Sequence, residues 1–109
     1  MKNPTVICIT SFIPDHVIMQ EVAKEFSVTP DDLVTQSRKW KYVIPRKVCW
    51  LFLYEVNGYS HEKIGNLFNR HRSSVSIGLK TLNRELEVDK KLWIKCTKLI
   101  YCFVDYNNN

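Results

Sequence analysis

From Pro14 to Phe103 the apolar residues of this chain recur at three- and four-residue intervals, and they nowhere alternate over the length of a strand. A period near 3.6 buries one stripe of a helix; a period of two buries one face of a strand. The links between these segments are short, about two to six residues, which suits helices packed directly on one another. The expectation is an all-α domain of five to six helices.

Local signals mark the segments. Pro14 and Asp15 open the first, with Val17 or Ile18, Val22 and Phe26 as its stripe and Met19 and Ala23 beside it; it should run to about Phe26. Thr29-Pro30-Asp31-Asp32 is a second start. Thr29 can cap, Pro30 suits the first helical position, and two carboxylates favour the positive end of the helix dipole. This helix should end near Gln36. Ser37-Arg38-Lys39-Trp40-Lys41 reads as a basic loop, and Ile44-Pro45-Arg46 as another proline-led start. The helix from Pro45 is apolar almost all round, with Val48, Trp50, Leu51, Phe52, Leu53, Tyr54 and Val56, so it belongs at the centre of its fold. Asn57-Gly58 ends it. Ser60 caps a helix over His61–Phe68; another begins at Ser73 or Ser74 with Val75, Leu79, Leu82 and Leu86 as its stripe. Leu92, Cys96, Leu99, Ile100 and Phe103 define the last. Residues 1–13 read as an apolar arm, 14–104 as the helical domain and 105–109 as a polar tail.

A chain of 109 residues with 45% apolar and 25% charged residues has the balance of one globular domain. Its longest apolar runs, Val48–Tyr54 and Val6–Ile9, fall far short of the ~20 residues of a membrane span. Only Lys2 precedes the early apolar run and no small-residue cleavage site follows it, so neither a membrane anchor nor a signal peptide is expected. Cys8, Cys49, Cys96 and Cys102 form no C-x-x-C pair, and His16, His61 and His71 are scattered. No metal, cofactor or small-molecule substrate is implied, and the thiols are expected to be reduced and cytoplasmic. No nucleophile–base order or carboxylate pair suggests an enzyme.

The net charge of +5 is concentrated. Residues 1–36 carry a net −3, residues 37–80 a net +7, and residues 81–109 a net +1. The central basic set is Arg38, Lys39, Lys41, Arg46, Lys47, Lys63, Arg70, Arg72 and Lys80, against Glu55 and Glu62. Such a footprint most often meets nucleic acid.

Within that basic centre, His61–Gly78 has the spacing of a helix-turn-helix. Gly65 is small where the second helix should cross. Ile64, Phe68 and Val75 fill the wedge, and Asn69 can take the left-handed turn between the helices. Ser73, Ser74, Ser76, Ile77, Lys80, Thr81 and Arg84 face outward on the second helix and include no acid. The first turns of such a helix enter the major groove, with Arg70, His71 and Arg72 at its mouth. The plainer alternative is an αα-hairpin in an ordinary helical protein; the local charge weighs against it.

These residues carry a resemblance to the C-terminal duplex-DNA-binding domain of the bacterial replication initiator DnaA. Ile18, Val22-Ala23, Phe26, Val28, Asp31 and Leu33 resemble that family's opening helices. Ser37-Arg38-Lys39 and Arg46 resemble its basic loop and third helix. Gly58-Tyr59-Ser60, Ile64-Gly65 and Phe68 resemble the first helix of its helix-turn-helix. Arg70-His71-Arg72-Ser73-Ser74-Val75 stands where the family has Arg-Asp-His-Ser/Thr-Thr-Val. The resemblance implies a Trp-repressor-like helical fold, with Arg46 in a minor groove and the Arg70–Ser74 turn in the major groove. Phosphate contacts from the basic loop and from Lys47 are also implied. The chain departs from the pattern at His71, at Arg72, at one residue missing before Arg70, and at His61-Glu62. Loss of the carboxylate removes an acceptor suited to cytosine, and Arg72 favours guanine or phosphate. No G-x-x-x-x-G-K-S/T is present.

The functional expectation is a double-stranded DNA-binding protein of the nucleoid, a small replication or transcription regulator without an ATPase. Arg46, Arg70, His71, Arg72, Ser73 and Ser74 are the expected base readers. Arg38, Lys39, Lys41, Lys47, Lys63 and Lys80 are the expected phosphate contacts. The alternative is a protein-interaction module on the same scaffold, acting on a replication or phage protein or on a second copy of itself; the apolar arm and the divergent turn motivate it.

Overall fold

A computed structural model describes residues 12–107, with only the backbone of Asn107. Among the described residues there are six helices and no strand: α1 (Asp15–Glu25), α2 (Pro30–Leu33), α3 (Trp40–Glu55), α4 (His61–Phe68), α5 (Arg72–Val88) and α6 (Lys90–Asn107). The arm lies outside the described residues except for Phe12 and Ile13. Ile13 belongs to the body: its side chain is fully buried, and it exchanges two hydrogen bonds with the Asn57 side chain at 3.0 and 2.8 Å. At the other end α6 continues through Asp105 and Tyr106, where a polar tail was expected.

The all-round apolar α3 is the hub, in contact with α1, α2, α4 and α5, while α6 closes the core against α1 and α5. Val48, Cys49, Phe52 and Leu53 of α3 are buried with Ile18 and Val22 of α1, Leu82 and Leu86 of α5, and Cys96 and Phe103 of α6. Phe52 meets Phe103 edge-on at 4.9 Å. Cys49 and Cys96 are free thiols inside this core; burial raises both, Cys96 to about 12, so they pack as small hydrophobes.

The helix boundaries follow from chemistry. Thr29 and Asp32 form a reciprocal capping box at 3.2 and 2.9 Å, and Ser60 caps α4 by accepting from the Lys63 amide at 3.1 Å. Gly58 (φ 69°) and Asn69 (φ 54°) take the left-handed conformation expected of them. α5 begins at Arg72, one or two residues before the expected Ser73 or Ser74, and two other boundaries differ by more. α2 stops at Leu33 because the carbonyls beyond its end turn toward Arg46. α3 starts five residues early, at Trp40, and carries Pro45 inside it. Proline at that point removes only the amide that would bond to the Lys41 carbonyl, and Lys41 is exposed to water. Trp40 and Lys41 are therefore helical, not part of a loop.

Candidate nucleic-acid interface

α4, a three-residue turn and α5 form the most closely joined pair of helices in the molecule. The turn closes when the Arg70 amide donates to the Gly65 carbonyl at 2.7 Å. A Cβ on Gly65 would overlap the Arg70 carbonyl oxygen and come within 3.4 Å of the Arg72 nitrogen. The glycine is thus demanded by the turn itself. A second close approach lies at Gly78 of α5, where a Cβ would fall 2.5 Å from the ring of Trp50. Trp50 is 4% exposed and packs edge-on against Phe68, which locks α3 to both helices of the pair.

α5 begins at Arg72, capped by His71, whose Nδ1 accepts from the Ser73 amide at 3.1 Å and lies 2.7 Å from the Ser73 hydroxyl. Ser73, Ile77, Lys80 and Arg84, spaced four, three and four residues apart, are all exposed and form one outward stripe. Ile77 is 61% exposed, while Val75, Leu79, Leu82 and Leu86 of the same helix are buried. Its place among polar and basic neighbours on that stripe marks it as a contact candidate that was not among the expected base readers.

Two concavities flank the start of α5. One is a cleft of about 260 Å³ between α3 and α5, lined by Arg38, Val43, Arg46, Lys47, Trp50, Arg70, Ser74, Ile77 and Gly78, with no acid among them. The Trp50 indole N–H and the Arg70 Nε–H are buried donors with no hydrogen-bond acceptor among the described residues, and both residues line this cleft. The other concavity, at the turn, brings Arg70, His71 and Arg72 together with Glu62 and Asn66. Asn66 is an amide on α4 that the spacing argument did not select.

The expected site residues divide. Arg70, His71, Arg72, Ser73 and Ser74 gather at the N-terminal edge of α5, and Arg38 stands exposed beside them. Arg46 lines the α3–α5 cleft with Arg38, Arg70 and Ser74, but its guanidinium is turned to the protein's own backbone. It is 2% exposed, and its guanidinium is spent on the carbonyls of Leu33 (2.8 Å), Thr35 (2.8 Å) and Ser37 (3.2 Å). Burial, and then the nearby Arg70, lower its pKa below the ordinary arginine value. Arg70 donates to the same Thr35 carbonyl at 2.8 Å, so two cations hold one loop. Lys47 is also engaged internally, with two of its three ammonium donors on Thr81 at 2.9 Å and Glu85 at 3.1 Å, and Glu85 offsets its charge. Lys63 lies over the Tyr59 ring at 4.0 Å and Lys80 on the outward stripe. Lys39 is exposed at the N-cap of α3. Lys41 turns to the opposite flank of α3, where it lines a groove with Trp40, Ile44, Leu92 and Lys95. Trp40 is 79% exposed there.

Among the described residues no group of three or more His, Cys, Asp or Glu side chains is placed to hold a metal ion, and no helix is long and apolar enough to cross a membrane.

Two helices joined through a left-handed asparagine, the second presenting a basic, acid-free stripe, define a helix-turn-helix domain. The particular family follows from comparison: the chain belongs to the bacterial DnaA helix-turn-helix family, described as "Bacterial dnaA protein helix-turn-helix", which matches residues 16–82. It is 30% identical over 90 residues to the chromosomal replication initiator protein DnaA of Mycoplasma genitalium, covering 83% of this chain and 20% of that protein. It is 28% identical over 74 residues to DnaA 1 of Chlamydia trachomatis, covering 68% and 16% respectively. With DnaA of Nautilia profundicola it shares 31% over 83 residues, covering 75% and 19%. The chain thus spans about a fifth of the length of these relatives.

Proposed function

We propose that this chain binds double-stranded DNA, with the N-terminal half of α5 in the major groove. The observation that carries this reading is the acid-free stripe Ser73, Ile77, Lys80 and Arg84, with Arg70 and Arg72 at its leading edge. Small hydroxyls at the start of the helix let the backbone approach base edges. Ile77 offers an apolar contact of the kind that recognises a thymine methyl, and Arg72 one of the kind that recognises guanine. Arg38, Lys39, Lys80 and Arg84 supply phosphate contacts. Relatives of this chain are named chromosomal replication initiator proteins, and the role that fits a DnaA-like binding domain is to mark a DNA site in replication or transcription control within the nucleoid. Binding, not catalysis, is the activity proposed.

Titration of fluorescent duplex by anisotropy at several salt concentrations tests this. With Lys47 internally paired, about four to five phosphates are neutralised, and log affinity should fall against log salt with a slope near −4. A flat response would overturn the reading. In the same assay Arg72→Ala should weaken the preferred site by about 1–3 kcal/mol and relax preference at one base pair. Equal loss on every sequence would make Arg72 a phosphate contact instead.

A protein partner on the same scaffold is the second reading, favoured by the exposed Trp40 in its groove on the far flank of α3. Protein capture that persists after nuclease treatment and is lost in Trp40→Ala would support it.

A further inference from the structure

We infer that His71 is a specificity-determining residue that reads a guanine as a hydrogen-bond donor, its tautomer set by its own cap on α5. The inference deepens the DNA-binding reading and rests on it.

A backbone amide sets the tautomer. The Ser73 N–H can only donate, and its partner at 3.1 Å is His71 Nδ1. Nδ1 must therefore present a lone pair; a proton there would set two donors against each other. The Ser73 hydroxyl, 2.7 Å from the same nitrogen, can turn its hydrogen toward that lone pair as well. With Nδ1 an acceptor, the ring proton of the neutral imidazole sits on Nε2. Nε2 makes no hydrogen bond among the described residues, and His71 is exposed at the concavity shared with Arg70, Arg72, Asn66 and Glu62. The leading edge of α5 thus shows the groove an N–H donor, fixed in tautomer by the residue two positions on.

A fixed donor is selective. Guanine offers two adjacent acceptors, N7 and O6, on its major-groove edge, adenine and thymine one each, and cytosine only its amino donor. His71 should therefore favour guanine and reject cytosine at the base it meets, the reverse of what a carboxylate at this position would choose. An aspartate or asparagine can still cap the helix, so the preference can be changed while the fold is kept.

The experiment has two arms, both on the full chain. A long-range ¹H–¹⁵N spectrum, with the His71 signals assigned by their absence in His71→Asn, should show a protonated Nε2 and an unprotonated Nδ1. A proton on Nδ1 overturns the inference whatever the protein binds. In the second arm, wild type, His71→Asp and His71→Asn are each used to select from a random-sequence duplex library. At one position wild type should prefer guanine over cytosine by about fivefold, the lower end of what one base contact discriminates. His71→Asp should invert that preference, and His71→Asn, which retains an amide donor, should keep it. If wild type and His71→Asp select the same sequence, His71 contacts phosphate and the inference fails, while the DNA-binding reading stands. If wild type enriches no duplex at all, that reading fails and takes this one with it.

Discussion

Gly65→Ala will destabilise the protein by about 2–4 kcal/mol and abolish site-specific DNA binding, although an alanine in mid-helix is normally the better residue by about 1 kcal/mol. The sign is reversed by what faces the new methyl. It would overlap the Arg70 carbonyl oxygen and crowd the Arg72 nitrogen, and both belong to the backbone. A flexible side chain could swing aside. A backbone carbonyl held in a turn by the 2.7 Å bond from the Arg70 amide to Gly65 itself cannot do so without opening that bond. The turn has only Asn69, Arg70 and His71 between two helices, so it has no slack to absorb the shift. Urea unfolding should show the lower midpoint. Anisotropy under native conditions should show residual binding that no longer distinguishes sequences, because Arg70 and Arg72 lose their placement before the basic surface is lost. A variant as stable as wild type would mean that the turn relaxes more easily than its geometry indicates.

That geometry also shows what could be read from the residues and what could not. Cap and turn positions were legible because each depends on neighbours within a few residues: Thr29 with Asp32, Ser60 with Lys63, Asn69 in the left-handed turn. The need for a small residue at Gly65 was also legible, though the obstruction is the turn and not a crossing helix. Gly78 was not, since nothing local announces that Trp50, 28 positions earlier, lies against it. The start of α3 was misplaced for a related reason. Proline suits the first turn of a helix and so reads as a start, yet here it is buried as the sixth residue of α3. His71 was placed among the base readers from its position in the turn, and only the fold shows that its Nδ1 accepts from the Ser73 amide as the cap of α5. Charge type was legible and charge use was not. A basic residue in a basic stretch invites a phosphate, and only the fold shows that Lys47 already faces Glu85.

Arg46 is where that distinction has its largest consequence, and Arg46→Met separates the two roles. A groove reader replaced by methionine would leave the folded protein intact and lose affinity at particular base pairs. The buried Arg46 predicts a different result. Methionine keeps the apolar stem but removes every donor to the carbonyls of Leu33, Thr35 and Ser37. Hydrogen bonds from a charged donor are worth about 1.5–3 kcal/mol each, and stranded carbonyls near the surface recover part of that from water. Removing the buried cation also relieves its desolvation and its repulsion from Arg70, the two causes that lower its pKa. The balance is a loss of about 2–3 kcal/mol, read as a lower urea midpoint. Arg46→Lys should fall between, since one ammonium cannot span carbonyls that a planar fork reaches together. Amide hydrogen exchange should accelerate from Leu33 to Lys39, because Arg70 alone, through Thr35, would still hold the loop. DNA binding should weaken evenly across sequences, as Arg38 and Lys39 lose a fixed platform. Unchanged stability with a loss confined to one part of the site would return Arg46 to the groove and require its guanidinium to leave the carbonyls it holds.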